Sequence, residues 1–522
     1  MTISAAVPAE AAALPAAPGT VPDTAPDTAP DTGTILIELP DEAASRRFGE
    51  DLVLACRAGD VVALSGDLGA GKSTLARAMV RTHAGDPGLD VPSPTFTLVQ
   101  AYETEPPIAH FDLYRLGEDA ALDELGFDEA AEEGIVLCEW PERSPEVLAR
   151  AALHVRLDMA GEGRIAAVSG EPAAMARLQR SRAVRAFLDR SGLSPTDRRR
   201  FFGDASPRRY ETVRIADRPA ILMDAPRIES GLAYRRIAHI ADDVTPFVAL
   251  AHLLRAKGFV APDILFSDLD AGLLLIEHLG EDTILDGAGR PIPERYEAAA
   301  LTLAALHGES FADEVPVELG LTHTIPTFDR GAMSAEVELL LEWYVPRFKG
   351  RPAEPEERDD FVAVWRDLFD RLRAAEESLV LRDVHSPNII WRGDRSGTDR
   401  IGLLDFQDAM IGPAAYDLAS LAQDARVDIA PELEMRLVAA YAAARRERGA
   451  FDAFAFEEAY AIMAAQRTSK ILGLFVRLDQ RDGKPQYLRH IPRLKTYLKR
   501  TLAHPALAAL SELYARWGLL AP

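Results

Sequence analysis

The sequence predicts an α/β P-loop NTPase domain followed by an α+β bilobal kinase-like domain, and three observations lead there. Gly66-Asp67-Leu68-Gly69-Ala70-Gly71-Lys72-Ser73 lies between an apolar strand pattern and a helical one. Far downstream, Asp383, Asn388 and Asp405 stand at the spacing with which kinase-type phosphotransferases hold base and metal. The chain, at 522 residues, is too long for one hydrophobic core and suits two or three domains. Two separate sets of phosphate-handling residues imply a fusion of two enzymes.

Taken in order, residues 1–33 are rich in Ala, Pro, Asp and Thr, with Pro-Asp-Thr-Ala recurring around Pro22, Pro26 and Pro30. Such a composition cannot bury a core, so a disordered leader is expected. Thr34 to Leu39 has the pattern of a short strand, and Asp41 can cap an amphipathic helix reaching Ala55. Val61 to Ser65 is a buried-strand run feeding the glycine-rich loop, and Thr74 to Thr82 continues as helix. Two more strands end in acids, Ile108 to Asp112 and Ile135 to Glu139. His154–Leu157 and Ile165–Ser169 form a hairpin pattern around Gly161-Glu162-Gly163. The first domain is therefore expected over 34–170, a helical linker over 171–200, and the second domain over 201–522. That second domain starts with short strands and turns helical after Pro293, the order of a small lobe, a hinge and a large lobe.

The formal charge of -24 disfavours tight direct binding of DNA or RNA, so any role with RNA would run through a partner protein. Nucleotide binding needs only local backbone N–H groups and a cation or two. Apolar runs such as Gly272 to Ile276 are strand-sized, so no membrane association is expected. Cys56 and Cys138 alone do not make a disulfide scaffold, and a cytoplasmic location fits them.

In the first site the glycines let backbone N–H groups close around phosphate, Lys72 neutralises β/γ charge and the Ser73 hydroxyl can ligate Mg²⁺. Asp112 and Glu139 lie at strand C-termini, where open α/β sheets place ligand-binding groups. Four motifs then occur in order: Gly66 to Ser73, Ser93-Pro94-Thr95-Phe96-Thr97-Leu98-Val99, His110-Phe111-Asp112-Leu113-Tyr114-Arg115-Leu116 and Cys138-Glu139-Trp140-Pro141-Glu142. Together they resemble the TsaE family, the ATPase of tRNA threonylcarbamoyladenosine formation. The resemblance implies ATP bound by Gly66 to Thr74, with Ser73 and Glu139 on Mg²⁺ and Asp112 supporting hydrolysis. It further implies a switch-like loop over Ser93 to Thr97, Trp140 beside the nucleotide, and weaker nucleotide positions at Glu42 and Arg164. The family's partner, a threonylcarbamoyl-transferase heterodimer, is implied as well.

In the second site an apolar strand, a polar loop and a further apolar strand span Leu379 to Trp391. Asp383 can accept a substrate hydroxyl proton, Asn388 can reach a Mg²⁺, and Asp405 follows on another strand to bridge metal and phosphates. Gly203 to Tyr210, Ile221 to Pro226, Leu273 to Gly280, Asp405 to Ala409 and Gly412 to Leu418 resemble the aminoglycoside-phosphotransferase superfamily, nearest its branch of cell-wall amino-sugar 1-kinases. That resemblance implies a small-molecule sugar substrate. Leu381 replaces the histidine usual before the base, and Met223 stands where a strand lysine is usual. Arg208 and Arg209 are the candidate phosphate-holding cations. His307 is expected in a core or helix-capping place ahead of a catalytic one, and Trp343 and Tyr344 in the core, with stacking on a sugar face the open alternative. Open alternatives are a kinase of another hydroxylated metabolite or an aminoglycoside, or a scaffold with one structural nucleotide site.

Overall fold

In the computed structural model, residues 33–116, 122–194, 196–201, 208–228, 233–318 and 320–520 are described. The leader up to residue 32 and the Gly203 to Pro207 part of the expected nucleotide loop lie outside them. The described chain divides into two units: one takes in residues up to Gly49, Ala55–Val80 and Asp90–Leu178, the other Glu50–Leu54, Arg81–Leu89 and the residues from Gln179 onward.

The first unit is built on a seven-stranded sheet. Its strands are β1 (Ile35–Leu39), β2 (Val61–Ser65), β3 (Val99–Tyr102), β4 (Ile108–Asp112), β5 (Ile135–Glu139), β6 (Ala151–Ala160) and β7 (Gly163–Gly170), in spatial order β1-β7-β6-β2-β5-β4-β3. β2 runs parallel to both β5 and β6, and β4 parallel to β5. β1, β3 and β7 are antiparallel to their neighbours. Buried on both faces, β2, β4 and β5 read as near-continuous apolar runs. Helix α1 (Glu42–Ala55) starts where Asp41 Oδ1 accepts the Ala44 N–H at 2.7 Å, and α2 (Lys72–Ala84) continues the glycine-rich loop. The β4–β5 register sets Asp112 directly opposite Glu139, and the β2–β5 register sets Glu139 opposite Leu64, just before the loop. Both acids are thereby delivered to the loop by ladder geometry. Both cysteines of this unit are buried.

The second unit contains a five-stranded antiparallel sheet in the order β11-β12-β10-β9-β8. Its strands are β8 (Thr196–Phe201), β9 (Arg209–Ile215), β10 (Arg218–Asp224), β11 (Ile264–Asp268) and β12 (Leu273–Glu277). Here the structure corrects the expected helical linker: the helix ends at Arg190 and Thr196–Phe201 is strand. The arginine-rich run looks like a solvated helix face, but its backbone is satisfied by pairing with β9, and charges suit an edge strand. Arg198 stays buried there because Glu211 on β9 takes its Nε–H at 2.7 Å. The helix Pro172–Arg190 packs Val184, Phe187 and Leu188 onto Val213, Leu222 and Leu275 of the sheet.

Beyond Pro293 helices dominate, the longest being Ala453–Gln480. The helix Arg330–Leu339 passes into a wide π-type turn over Leu340–Tyr344. Tyr344 and His307 are 1% and 3% exposed, and Trp343 packs against the same core. At Gly473 the long helix comes so close that a Cβ would lie 2.2 Å from the Leu339 carbonyl carbon. No helix among the described residues is long and apolar enough to cross a membrane.

Candidate functional sites

In the first unit the loop after β2 needs glycine where its backbone turns left-handed, with φ of 81° at Gly69 and 106° at Gly71. Lys72 Nζ donates to the carbonyls of Gly66 and Asp67 at 2.6 and 2.9 Å and sits 3.7 Å from the Trp140 ring centre. Burial pulls this ammonium below its usual range, against the opposing pull of Glu139. Ser73 Oγ donates to Glu139 Oε2 at 2.8 Å, and His110 Nε2 lies 2.9 Å from Glu139 Oε1. Asp112 Oδ2 accepts from Ser93 Oγ at 2.9 Å and Thr95 Oγ1 at 2.7 Å, so the Ser93–Thr97 loop is tied to that carboxylate. Beside the loop is a cavity of about 260 Å³ lined by Glu42, Gly69, Ala70, Gly71, Thr74 and Arg164 among others. Arg164 Nε donates to the Ala70 carbonyl at 3.0 Å, which steadies the loop backbone.

The second unit has a cavity of about 940 Å³ lined by Arg208, Met223, Asp383, Asn388 and Asp405, with Glu277 to Glu281 of the hinge also on its wall. The strands Ile389–Trp391 and Ile401–Leu403 pair as a hairpin, with Ile389 opposite Leu403, which brings Asn388 beside Asp405. Asn388 Nδ2 donates to the Asp383 carbonyl at 2.9 Å and to Asp405 Oδ2 at 3.3 Å, so its carbonyl oxygen is the atom that can meet a metal. Gln407 Nε2 donates to Asp405 Oδ1 at 2.8 Å, and Arg208 Nη1 is 3.5 Å from the same oxygen. Burial raises the Asp405 carboxyl and Asp383 adds to it, while Arg208 opposes both. Arg208 therefore lies with the cluster, whereas Arg209 is exposed at the start of β9 and does not line the cavity.

The catalytic loop is fastened from behind. Asp417 accepts the backbone N–H groups of Leu381 and Arg382 at 2.7 and 2.8 Å, the anchoring that Leu381 itself cannot supply. Arg382 holds a left-handed backbone, φ 76°, while its guanidinium pairs with buried Glu336 and donates to the Ala238 carbonyl at 2.9 Å. Glu336 is also bonded by Lys470 at 2.6 Å and Gln466 at 2.9 Å.

Comparison with known proteins places each unit beside a different family. Residues 39–166 match the family described as threonylcarbamoyl adenosine biosynthesis protein TsaE, and residues 197–454 match the phosphotransferase enzyme family. A Caulobacter vibrioides N-acetylmuramate/N-acetylglucosamine kinase is 35% identical over 356 residues, covering 65% of this chain and 97% of that protein. A Rickettsia felis TsaE is 34% identical over 130 residues, 25% of this chain and 75% of that protein. A Haemophilus influenzae TsaE is 38% identical over 135 residues, 24% of this chain and 83% of that protein. This chain belongs to both families. It is a TsaE-type ATPase unit joined to a phosphotransferase of the amino-sugar-kinase type, and so a bifunctional enzyme.

Several residues of the TsaE and phosphotransferase sites carry no role in a reading of the sequence alone. His110 stands two residues before Asp112, and the alternation of a strand with a polar residue in a buried run was its only signal. Asp417, Glu336, Gln407, His385 and Arg426 act through contacts distant in sequence or around the catalytic loop. A buried acid in an apolar helix, as Asp417 is in Ala415–Ala422, is the signal that could have found one of them.

Proposed function

We propose that the first unit hydrolyses ATP in support of tRNA N6-threonylcarbamoyladenosine formation, acting on partner proteins of that pathway, and that the second phosphorylates an amino sugar at its anomeric oxygen. In the first unit the loop N–H groups and Lys72 bind phosphate, while Ser73 and Glu139 offer the hard oxygens that Mg²⁺ takes alongside phosphate. Asp112, at the end of β4, orients the attacking water. Trp140, Glu42 and Arg164 border the nucleotide. When bound, Mg²⁺–ATP supplies the transferable phosphoryl group.

In the second unit Asp383 takes the proton of the sugar hydroxyl, Asn388 and Asp405 hold the metal, and Arg208 offsets phosphate charge in place of the missing strand lysine. The observation carrying this reading is the convergence of Asp383, Asn388 and Asp405 in one large cavity that residues 277–281 also line. The test is incubation of the purified chain with ATP and N-acetylmuramate, N-acetylglucosamine, an aminoglycoside or choline. An acid-labile sugar 1-phosphate is the expected product. An acid-stable phosphoester, or turnover of the aminoglycoside alone, would replace the amino-sugar reading.

A further inference from the structure

The long helix Ala453–Gln480 carries a cation that the fold leaves unanswered. Arg467 lies near its middle and is only 5% exposed, yet its guanidinium has no hydrogen-bond or ion-pair partner among the described residues. None of its nitrogens is among the sealed-off, partnerless atoms, so the little surface it keeps includes the guanidinium, which opens onto space that solvent can reach. Charges are hardly ever buried alone, because a cation taken out of water needs an anion to offset the loss. The neighbours on the helix show which way this one faces. Gln466 and Lys470 both bond Glu336, at 2.9 and 2.6 Å, and Lys470 Nζ lies 3.3 Å from the Tyr416 hydroxyl. Glu336 in turn holds Arg382, the residue before Asp383. Arg467 is next to Gln466 and one turn from Lys470, on the side of the helix that meets the catalytic loop. Its charge is felt there: burial, then Arg426 and Arg467, hold His385 well below its usual range against Asp424, and His385 lines the cavity two residues beyond Asp383. Burial and Glu336 push the Tyr416 hydroxyl up, and Arg467 opposes them. The arginines that line the cavity are placed differently. Arg208 is 3.5 Å from Asp405, Arg235 pairs with Asp242, Arg426 reaches His385, and Arg227 is exposed, where water offsets its charge.

Resting on the amino-sugar reading above, we propose that Arg467 forms an anion subsite for the phosphoryl acceptor, binding the carboxylate of an acidic amino sugar and so selecting it over a neutral one. A guanidinium meets a carboxylate through two parallel hydrogen bonds, a geometry that neither lysine nor a neutral donor reproduces. Deep in the fold, with little water to compete, that pairing is stronger than at an open surface. The same burial makes the unpaired cation a cost to the ligand-free fold, the kind of cost that persists where activity uses it. A carboxylate on the acceptor supplies the missing anion beside the loop that carries the base. N-acetylmuramate differs from N-acetylglucosamine by a lactyl ether bearing such a carboxylate, so the two sugars isolate this contact.

The experiment combines steady-state kinetics of the full chain, with both sugars at saturating ATP, and thermal melting without ligand. Arg467→Gln is expected to lower the ratio of kcat/KM for the acidic over the neutral sugar by roughly 10- to 100-fold, through KM of the acidic sugar. The same variant should melt at or above the wild-type temperature, because it removes a buried charge that has no partner. Arg467→Lys keeps the charge without the fork and should give an intermediate ratio, readable whether or not the glutamine variant folds. An equal loss on both sugars with a lower melting temperature would make Arg467 a structural brace and overturn the assignment. A raised KM for ATP with the ratio intact would make it a phosphate cation and overturn it too. If Arg227→Gln lowers the ratio and Arg467→Gln does not, the carboxylate is held by the exposed arginine and the subsite is not at Arg467. A wild-type chain that phosphorylates neither sugar would instead remove the amino-sugar reading itself, and this assignment with it, before any substitution is made.

Discussion

Asp383 and Asp405 lie in one cavity but carry different burdens. Asp383 is the candidate base, so Asp383→Asn preserves shape and should lower turnover by roughly 10²–10⁴ while nucleotide still binds. Asp405 is bonded on both oxygens, by Asn388 and Gln407, and is the candidate metal-side acid. Asp405→Asn should therefore weaken Mg²⁺–ATP binding as well as turnover, and calorimetric titration of nucleotide separates the two variants. In the first unit His110 fixes one oxygen of Glu139 while Ser73 takes the other. Removing a group that orients a metal ligand costs about 10- to 100-fold in metal affinity. His110→Ala should accordingly raise the Mg²⁺ concentration needed for half-maximal ATPase activity by that factor, with the melting transition largely kept. An unchanged Mg²⁺ requirement would assign His110 to packing alone.

At the level of elements, the catalytic loop depends on helices far from it in sequence. Glu336 is buried between Arg382 and Lys470, which makes it the joint between the loop and the helix Ala453–Gln480. Burial alone would raise its carboxyl, but Lys470, Arg382 and Gln466 more than reverse this and hold it below the ordinary range. Its stabilising contribution is thus fully present above the ordinary glutamate value and is lost as pH falls through the lower folded value. Glu336→Gln leaves two buried cations without their anion and should cost about 3–5 kcal/mol at neutral pH. Denaturation of wild type and variant at descending pH should show that gap narrowing in acid. The same contrast explains how much was legible. Gly66 to Ser73, the strand ends at Asp112 and Glu139, and the Asp383–Asn388–Asp405 spacing are local patterns whose chemistry is set by near neighbours, and each is visible in the sequence. The strand Thr196–Phe201 reads as helix in the sequence because its arginines say only that one face meets water, not which ladder satisfies the backbone. The contacts of Glu336 and Asp417 reach partners 35 to 134 residues away, beyond the reach of any periodicity.

Across the whole molecule the two candidate sites draw their lining residues from separate units. Lys72→Ala should abolish the ATPase activity of the first unit and leave sugar phosphorylation in place, measured on one preparation of the full chain. An equal fall in both would mean that the two activities share a nucleotide site or a conformational step. The converse separation is written into a single atom position. Lys470 and Gly473 lie one turn apart on the long helix, and a methyl at 473 would press on the Leu339 carbonyl, three residues beyond Glu336. Gly473→Ala must therefore part that helix crossing and loosen the Glu336 joint behind Arg382 and Asp383, with no change to a cavity-lining side chain. The full chain carrying it should phosphorylate sugar at low temperature, lose that activity on warming, and keep its ATPase activity throughout: a conditional variant for one trade of a protein that practises two.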